Sequence, residues 1–325
     1  MQRRTVLAAA GLALAGLLGM AISSPASAES WPTKPVRIVV PYAPGGATDT
    51  IARPWSEKLS EAFGQQFVID NKGGAGGSIG TEAVAKSPPD GYTFLLTPNG
   101  PLLVLPHLRK TPYDPMKDFI PVGRTGDLLC GFVVHPSVPV NSLKELVDYA
   151  KANPGKVNYG SAGLGTGTHL RIEMLKLRAG IDILHVPYRG SAEALNDLLG
   201  GHVQMMNEIV ALPHVKAGKL KLLSMNYSQR SPDFPDVPTM TELGYPNSDV
   251  PIWYALYAPK GTPQAIVDRL NAEMVKIAQT PEMQQRFRDI SVNTPLQTPA
   301  EIVATMEADN KQYAELIKAA NVTLE

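Results

Sequence analysis

Two loops carry the residue types that can hold an anion. Pro41-Tyr42-Ala43-Pro44-Gly45-Gly46-Ala47-Thr48-Asp49 follows the apolar run Val36–Val40 and precedes a helix-period segment beginning near Thr50. Gly160-Ser161-Ala162-Gly163-Leu164-Gly165-Thr166-Gly167-Thr168-His169 follows Val157-Asn158-Tyr159 and precedes a helix over 170–177. Each loop puts glycines where a strand runs into a helix. Glycine lets the backbone turn sharply there, and the first helical N–H groups, which have no intrahelical acceptor, point into the space beyond the strand's carboxyl end. With the positive end of the helix dipole behind them, they make an anion site without lysine or arginine.

Other chemistries lack their residues. No Gly-Lys-Ser/Thr ends a glycine cluster, and Thr168 stands where a dinucleotide fingerprint needs its third glycine after Gly163 and Gly165. The six histidines, 107, 135, 169, 185, 202 and 214, show no HExxH or short paired spacing, so neither a metal nor a cofactor is expected. Ser161 sits in GSAGLG rather than in a Gly-x-Ser-x-Gly elbow. A Ser161 nucleophile with His169 as its base is the minor, hydrolase reading; eight residues across a loop and a helix start seldom give that geometry.

The elements around these loops alternate. Residues 36–41 read as a buried strand, Ile51, Trp55, Leu59 and Phe63 recur every fourth residue on a helix, and 67–69 is a second strand, which makes a βαβ unit. Gly73 to Gly77 opens a short helix, Asp90-Gly91 turns into a strand over 92–96, and Thr97-Pro98-Asn99-Gly100-Pro101 is a third loop facing the same way. The pattern resumes with a strand over 132–134 and a helix bearing Leu143, Leu146, Val147 and Ala150. After the second glycine loop come a strand over 183–186, the loop Pro187-Tyr188-Arg189-Gly190-Ser191 and a helix bearing Leu195, Leu198 and Leu199. Such alternation predicts mainly parallel sheets covered by helices. Five prolines between 231 and 251 exclude one helix or a central strand and mark a surface excursion. A strand over 252–257, a helix after Gly261-Thr262-Pro263 and a last amphipathic helix, Pro299–Ala319, close the chain.

Arg3 and Arg4 precede an apolar run over 6–22, and Ala26-Ser27-Ala28 places small residues where a signal peptidase cuts, so residues 1–28 read as an export signal by the Sec or Tat route. The 325-residue chain has 30 basic and 30 acidic residues; without Arg3 and Arg4 it is still nearly neutral, and no basic run suits nucleic acid. The single cysteine, Cys130, has no intrachain partner and reads as a small buried residue.

The blocks WPTKPVRIVVPYAPGGATDTIAR, NKGGAGGSIGTEAVAKSPPDGYTFL, YDPMKDFIPV, YGSAGLGTGTHL, HVPYRGSAEALNDLLGG, AGKLKLLSMN, RSPDFPDVPTMTELGYP and APKGTP, in this order, resemble the tripartite tricarboxylate transporter substrate-binding proteins, the Bug receptors, over essentially the whole chain after the export signal. The resemblance implies a type II periplasmic binding protein: an α/β fold of two lobes, with residues 29–129 and 252–325 in one, 130–251 in the other, and a ligand cleft between them. It implies a monomeric periplasmic receptor, not an enzyme, that closes on a small di-, tri- or aromatic carboxylate and delivers it to membrane transporter subunits, or alternatively serves a sensing system. Tyr42, Gly45, Gly46, Ala47 and Thr48, with Asn99 nearby, would line one side of the ligand. Ser161, Ala162, Gly163, Gly165, Thr166 and His169 would line the other, with Tyr188 closing over it.

Several of these residues have a plainer reading. Asp49 is expected to pair with Arg53 one turn on rather than meet a carboxylate, Gly73 to Gly77 could serve only to let backbone pass beside the first loop, and His169 or Tyr188 could simply pack. One segment departs from the resemblance. After Met205-Met206 this chain has Asn207-Glu208-Ile209 where the family commonly has a Phe-Asp pair, and it is about two residues shorter before Leu212. That places ligand identity in this segment, with Met205 and Met206 either core residues or an apolar distal wall.

Overall fold

The computed structural model describes residues 31–246, 248 and 252–319; the expected export signal, 1–28, lies outside them. Among the described residues, eleven strands run in chain order as β1 (Val36–Val40), β2 (Phe67–Asn71), β3 (Thr93–Pro98), β4 (Phe119–Leu128), β5 (Gly131–Val134), β6 (Asn158–Ser161), β7 (Leu184–Pro187), β8 (Met205–Met206), β9 (Lys221–Met225), β10 (Trp253–Pro259) and β11 (Val292–Asn293). The helices are α1 (Ala47–Phe63), α2 (Ser78–Ala85), α3 (Leu105–Leu108), α4 (Leu143–Ala152), α5 (Gly167–Ala179), α6 (Ser191–Leu199), α7 (Leu212–Lys216), α8 (Gln264–Gln279), α9 (Pro281–Asp289) and α10 (Pro299–Ala319).

The strands form two sheets. One has the order β11-β4-β10-β3-β1-β2 and the other β7-β6-β8-β5-β9. Read in opposite directions, and leaving out the edge strand β11, the two orders are the same, with β10 and β5 in equivalent places. Each lobe is therefore one sheet with its helices.

Most strands of each sheet point one way, as the strand-helix alternation suggested, and a crossing strand that runs against them makes each sheet mixed. β1 pairs parallel with β2 and β3, and β6 with β7 and β8, through the expected helical crossovers. β10 lies antiparallel between β3 and β4, and β5 antiparallel between β8 and β9. The reason is the route of the chain. A crossing strand enters its sheet from the side on which the parallel strands end, so it must run the other way.

Local sequence explains the elements that carry the site. β1 is buried at Val36, Ile38, Val39 and Val40, as a strand covered on both faces should be. α1 buries Ile51, Trp55 and Leu59 and stops at Gly64, whose φ of 64° lets its N–H cap the Ser60 carbonyl. One core gathers Val39, Leu95, Trp253, Tyr257 and Tyr313, the last from α10; a second gathers Phe132, Leu146, Tyr159, Ile172 and Met205. Leu170 and Met174 of α5 pack into the first core, so α5 joins the two sheets. The proline-rich stretch after β9 is more than a surface excursion, because Met240 is buried in the second core and its N–H bonds the Met225 carbonyl.

Candidate functional site

The carboxyl ends of β1 and β6 open onto one small cavity of about 20 Å³, room for a single water-sized group. The β1 side supplies Tyr42, Gly46, Ala47 and Thr48, joined by Pro98, Ile252 and Tyr254; the β6 side supplies Ala162, Thr166, Gly167, Thr168, Ser191 and Glu208. Three helices begin at its wall: α1 after Gly46, α5 after Thr166 and α6 after Gly190.

The first loop is held from below. Gly45 turns the chain at φ 77°, and its N–H donates to Asp49 Oδ2 (3.0 Å). Asp49 also accepts from Arg53 Nε (2.8 Å) and Asn71 Nδ2 (3.1 Å), so its carboxylate is committed to the loop, as the i,i+4 spacing to Arg53 suggested. No side chain caps α1, which leaves the Ala47 and Thr48 amides at the cavity wall without an intrahelical acceptor.

α5 is capped differently. Thr166 Oγ1 accepts from the His169 N–H (3.3 Å) and donates to the Gly163 carbonyl (2.7 Å). That bond fixes the glycine turn and leaves the Gly167 and Thr168 amides at the wall. α6 starts at Ser191 without a side-chain cap.

Of the thirteen expected site residues, Tyr42, Gly46, Ala47, Thr48, Ala162 and Thr166 line this cavity. The others stand behind it or beside it. Gly45 shapes the turn. Asn99 is buried, with its side-chain amide donating to the Tyr313 hydroxyl (3.0 Å). Gly165 donates its N–H to His169 Nδ1 (3.3 Å), and His169 stacks on His185 with ring centres 4.2 Å apart. Gly163 and Tyr188 line a second cavity of about 410 Å³, with Gly76, Arg109, Leu164 and Arg189; Ala162 borders both cavities. The Tyr188 hydroxyl donates to Asp197 (2.5 Å).

Ser161 does not meet His169. Its Oγ shares a 2.7 Å hydrogen bond with His185 Nε2, and Ser161 is fully buried away from the cavity. The nucleophile-base pair read from the sequence is thus corrected: β6 and β7 run side by side and bring His185 to Ser161, a pairing that register decides and linear spacing does not show. Burial pushes His169 down to about 4 and His185 down to about 3, each also disfavoured by a positive or histidine neighbour, so both rings are neutral at pH 7.

Thr168, Ser191, Glu208, Pro98, Gly167, Ile252 and Tyr254 were not among the expected site residues. Gly167 and Thr168 lie inside the second glycine loop, Pro98 in the third, and Ser191 in Pro187-Tyr188-Arg189-Gly190-Ser191, so their loops were legible. Tyr254 comes from the returning strand β10, and Ile252 from the residue just before it. Glu208 comes from the departing segment just past β8. Met205 and Met206 are fully buried core residues of β8 and not a wall of the cavity.

Glu208 is the one carboxylate among the described residues at the wall. It is 2% exposed, and burial pushes its carboxyl up to about 7 against the pull of hydrogen bonds from Ser191 and Thr168 and the charge of Arg171. Burial also keeps the Tyr42 and Tyr254 phenols protonated. Tyr42 donates to the Gly76 carbonyl (3.2 Å), and Tyr254 hydrogen-bonds Thr48.

Two α/β lobes of matching strand order, facing each other across a cavity ringed by helix N-termini, define a solute-binding protein of the periplasmic type. Residues 51–322 match the tripartite tricarboxylate transporter family receptor, and the chain belongs to that family. It is similar to the protein BugT of Bordetella pertussis, 37% identical over 307 residues that cover 93% of this chain and 94% of BugT. Among solved structures it resembles the periplasmic binding protein BugD, at 37% identity and a TM-score of 0.87 over 91% of this chain and all of that one. It also resembles Rpa4515 of R. palustris with adipate, at 35% identity and a TM-score of 0.87 over 90% and 99% of the two chains.

Proposed function

We propose that this chain is a periplasmic receptor that captures a small carboxylate between its two lobes, 29–129 with 252–325 and 130–251, and delivers it to a membrane transporter of the tripartite tricarboxylate type. The observation that carries the reading is the convergence of the α1, α5 and α6 N-termini on one cavity with no lysine or arginine among the described residues at its wall. The amides at these helix starts suit a carboxylate, and the dipoles of all three helices favour its charge. Adipate in the related Rpa4515 supports a carboxylate as the ligand class.

Tyr42, Gly46, Ala47, Thr48, Ala162 and Thr166 are assigned to the ligand, while Gly45, Asn99, Ser161, Gly163, Gly165, His169 and Tyr188 shape and support their loops. The mechanism is closure: the anion enters an open cleft, and contacts from both lobes favour the closed form that the transporter recognises. Export through the signal at 1–28 places the receptor in the periplasm. The test is a thermal-shift panel of mono-, di- and tricarboxylates, aromatic ones included, on the purified protein. A rise in melting temperature with one class is expected; no shift with any of them rejects the reading.

A further inference from the structure

Glu208 presents a problem that a simple carboxylate ligand does not solve. β8 runs parallel to β6, so the chain leaving β8 emerges at the same edge as Ser161 and Ala162 and carries Glu208 into the same cavity. Hydroxyls of Thr168 and Ser191 support its charged form, yet Oε2 has no hydrogen-bond partner among the described residues. A buried carboxyl oxygen without a donor costs free energy, and it costs more beside a second anion. The other groups facing it are the Arg171 guanidinium, the Tyr42 and Tyr254 phenols and the Cys130 thiol. Tyr42 donates to Gly76 and Tyr254 bonds Thr48. Arg171 is engaged by Cys130 (2.6 Å), Asn207 (3.2 Å) and the Asn226 carbonyl (3.4 Å).

We propose that Glu208 sets the ligand's specificity: besides its carboxylate, the captured solute carries a hydrogen-bond donor, an ammonium or a hydroxyl group, that meets Glu208 Oε2. This rests on the carboxylate reading above and narrows it. With Glu208 ionised, as it is above about pH 7, a plain dicarboxylate would meet Oε2 acceptor against acceptor at one end, so the discriminating titration is run at pH 8. An amino or hydroxy acid brings the missing donor, and a polar site of this kind discriminates strongly because the analogue without the donor leaves the acid buried and unpaired. A plainer role for Glu208 is a built-in counter-ion for the α5 and α6 N-termini. That role predicts lower stability on substitution but no change in which ligands are preferred.

Calorimetric titration separates the two. The probes are glycolate, 3-hydroxypropionate and 4-hydroxybutyrate, the amino analogues glycine, β-alanine and 4-aminobutyrate, and the methyl analogues propionate, butyrate and pentanoate. At one chain length, a donor-bearing acid is expected to bind wild-type protein about tenfold or more tightly than its methyl analogue. Glu208→Met removes that preference, and Glu208→Gln removes it for the ammonium while keeping part of it for the hydroxyl. Equal affinity of donor and methyl forms at every length in the wild type overturns the proposal without needing a folded variant, as does a preference that survives in Glu208→Met. Binding without preference sinks this inference alone. No binding by any of the nine acids overturns this inference, whereas the carboxylate reading falls only if the di-, tri- and aromatic carboxylates of the thermal-shift panel fail as well.

Discussion

Gly76 lies so close to the Leu164 carbonyl that a Cβ on Gly76 would stand 2.4 Å from that oxygen. Gly76 belongs to the turn before α2 and Leu164 to the loop before α5, so this contact ties one lobe to the other at the rim of the cleft. A second such contact sets Gly46 against the first amide of α6, with the Cβ position 3.5 Å from Ser191 N. Backbone meets backbone across the cleft because side chains are missing there.

Gly76→Ala should therefore hinder closure more than it harms the fold. Its φ of 61° adds a strain of about 1 to 2 kcal/mol for a non-glycine residue, and the methyl group obstructs Leu164. The expected result is ligand affinity lowered by about tenfold or more with an unchanged circular dichroism spectrum. Unaltered affinity in calorimetry would show that the rim contact is not needed for binding.

Gly46→Val tests the anion wall itself. Gly46 has an ordinary φ of −81°, and a Cβ there would make only van der Waals contacts, so the fold tolerates the change. The γ-methyl groups of valine then crowd the space between the α1 and α6 N-termini. Loss of the ligand-induced thermal shift, with the unliganded melting temperature within a few degrees of wild type, is expected.

The stacked histidines make stability depend on pH in a defined direction. In the folded protein His169 and His185 stay neutral to about 4 and about 3, whereas in the unfolded chain they take up protons near 6.5. Their contribution is present above pH 6.5 and is lost as pH falls from there toward 4 and 3. The charged or titratable groups that act on the pair are Glu173 and Lys176, with Tyr159 stacked on His185. His185→Gln removes one of the two groups. The melting-temperature advantage of wild type over this variant should shrink between pH 7 and pH 4.5, and a constant difference would contradict the assignment.

Arg171 holds the two crossings together. It reaches Cys130 Sγ and Asn207 Oδ1, Asn207 Nδ2 donates to Asn226 Oδ1 (2.6 Å), and the Asn226 N–H donates to the Cys130 carbonyl (2.7 Å). Cys130 lies between β4 and β5, and Asn226 just past β9, so the network spans both sides of the junction between the sheets. Burial pushes the Cys130 thiol up to about 11, so Arg171 meets a neutral sulfur. Arg171→Met should cost about 2 to 4 kcal/mol in urea unfolding through the hydrogen bonds left unmade. Because Asn207 precedes Glu208, ligand affinity should fall too.

The strand-to-helix loops were legible in the sequence because their signal is local. Apolar runs, glycine turns and fourfold helical spacing lie within a few residues of one another, so the ends of β1 and β6 and the starts of α1 and α5 could be placed. The Asp49–Arg53 pair was legible for the same reason. β4 was not. Pro121, Gly123 and Gly126 lower its strand propensity, and it holds only because β10 pairs along nearly its whole length and β11 at its end.

Residues far apart in the chain needed the fold. Ser161 meets His185 through the register of β6 with β7, Tyr254 reaches Thr48 because β10 returns from the other sheet, and Glu208 enters the cavity because β8 ends at the same edge as β6. By itself the sequence determined that strands feed helices at glycine loops able to hold an anion, since backbone geometry there depends on neighbours in the chain. Only the tertiary structure decided that three helix N-termini share one cavity and that an acid lies buried among them, because that depends on which strands lie side by side.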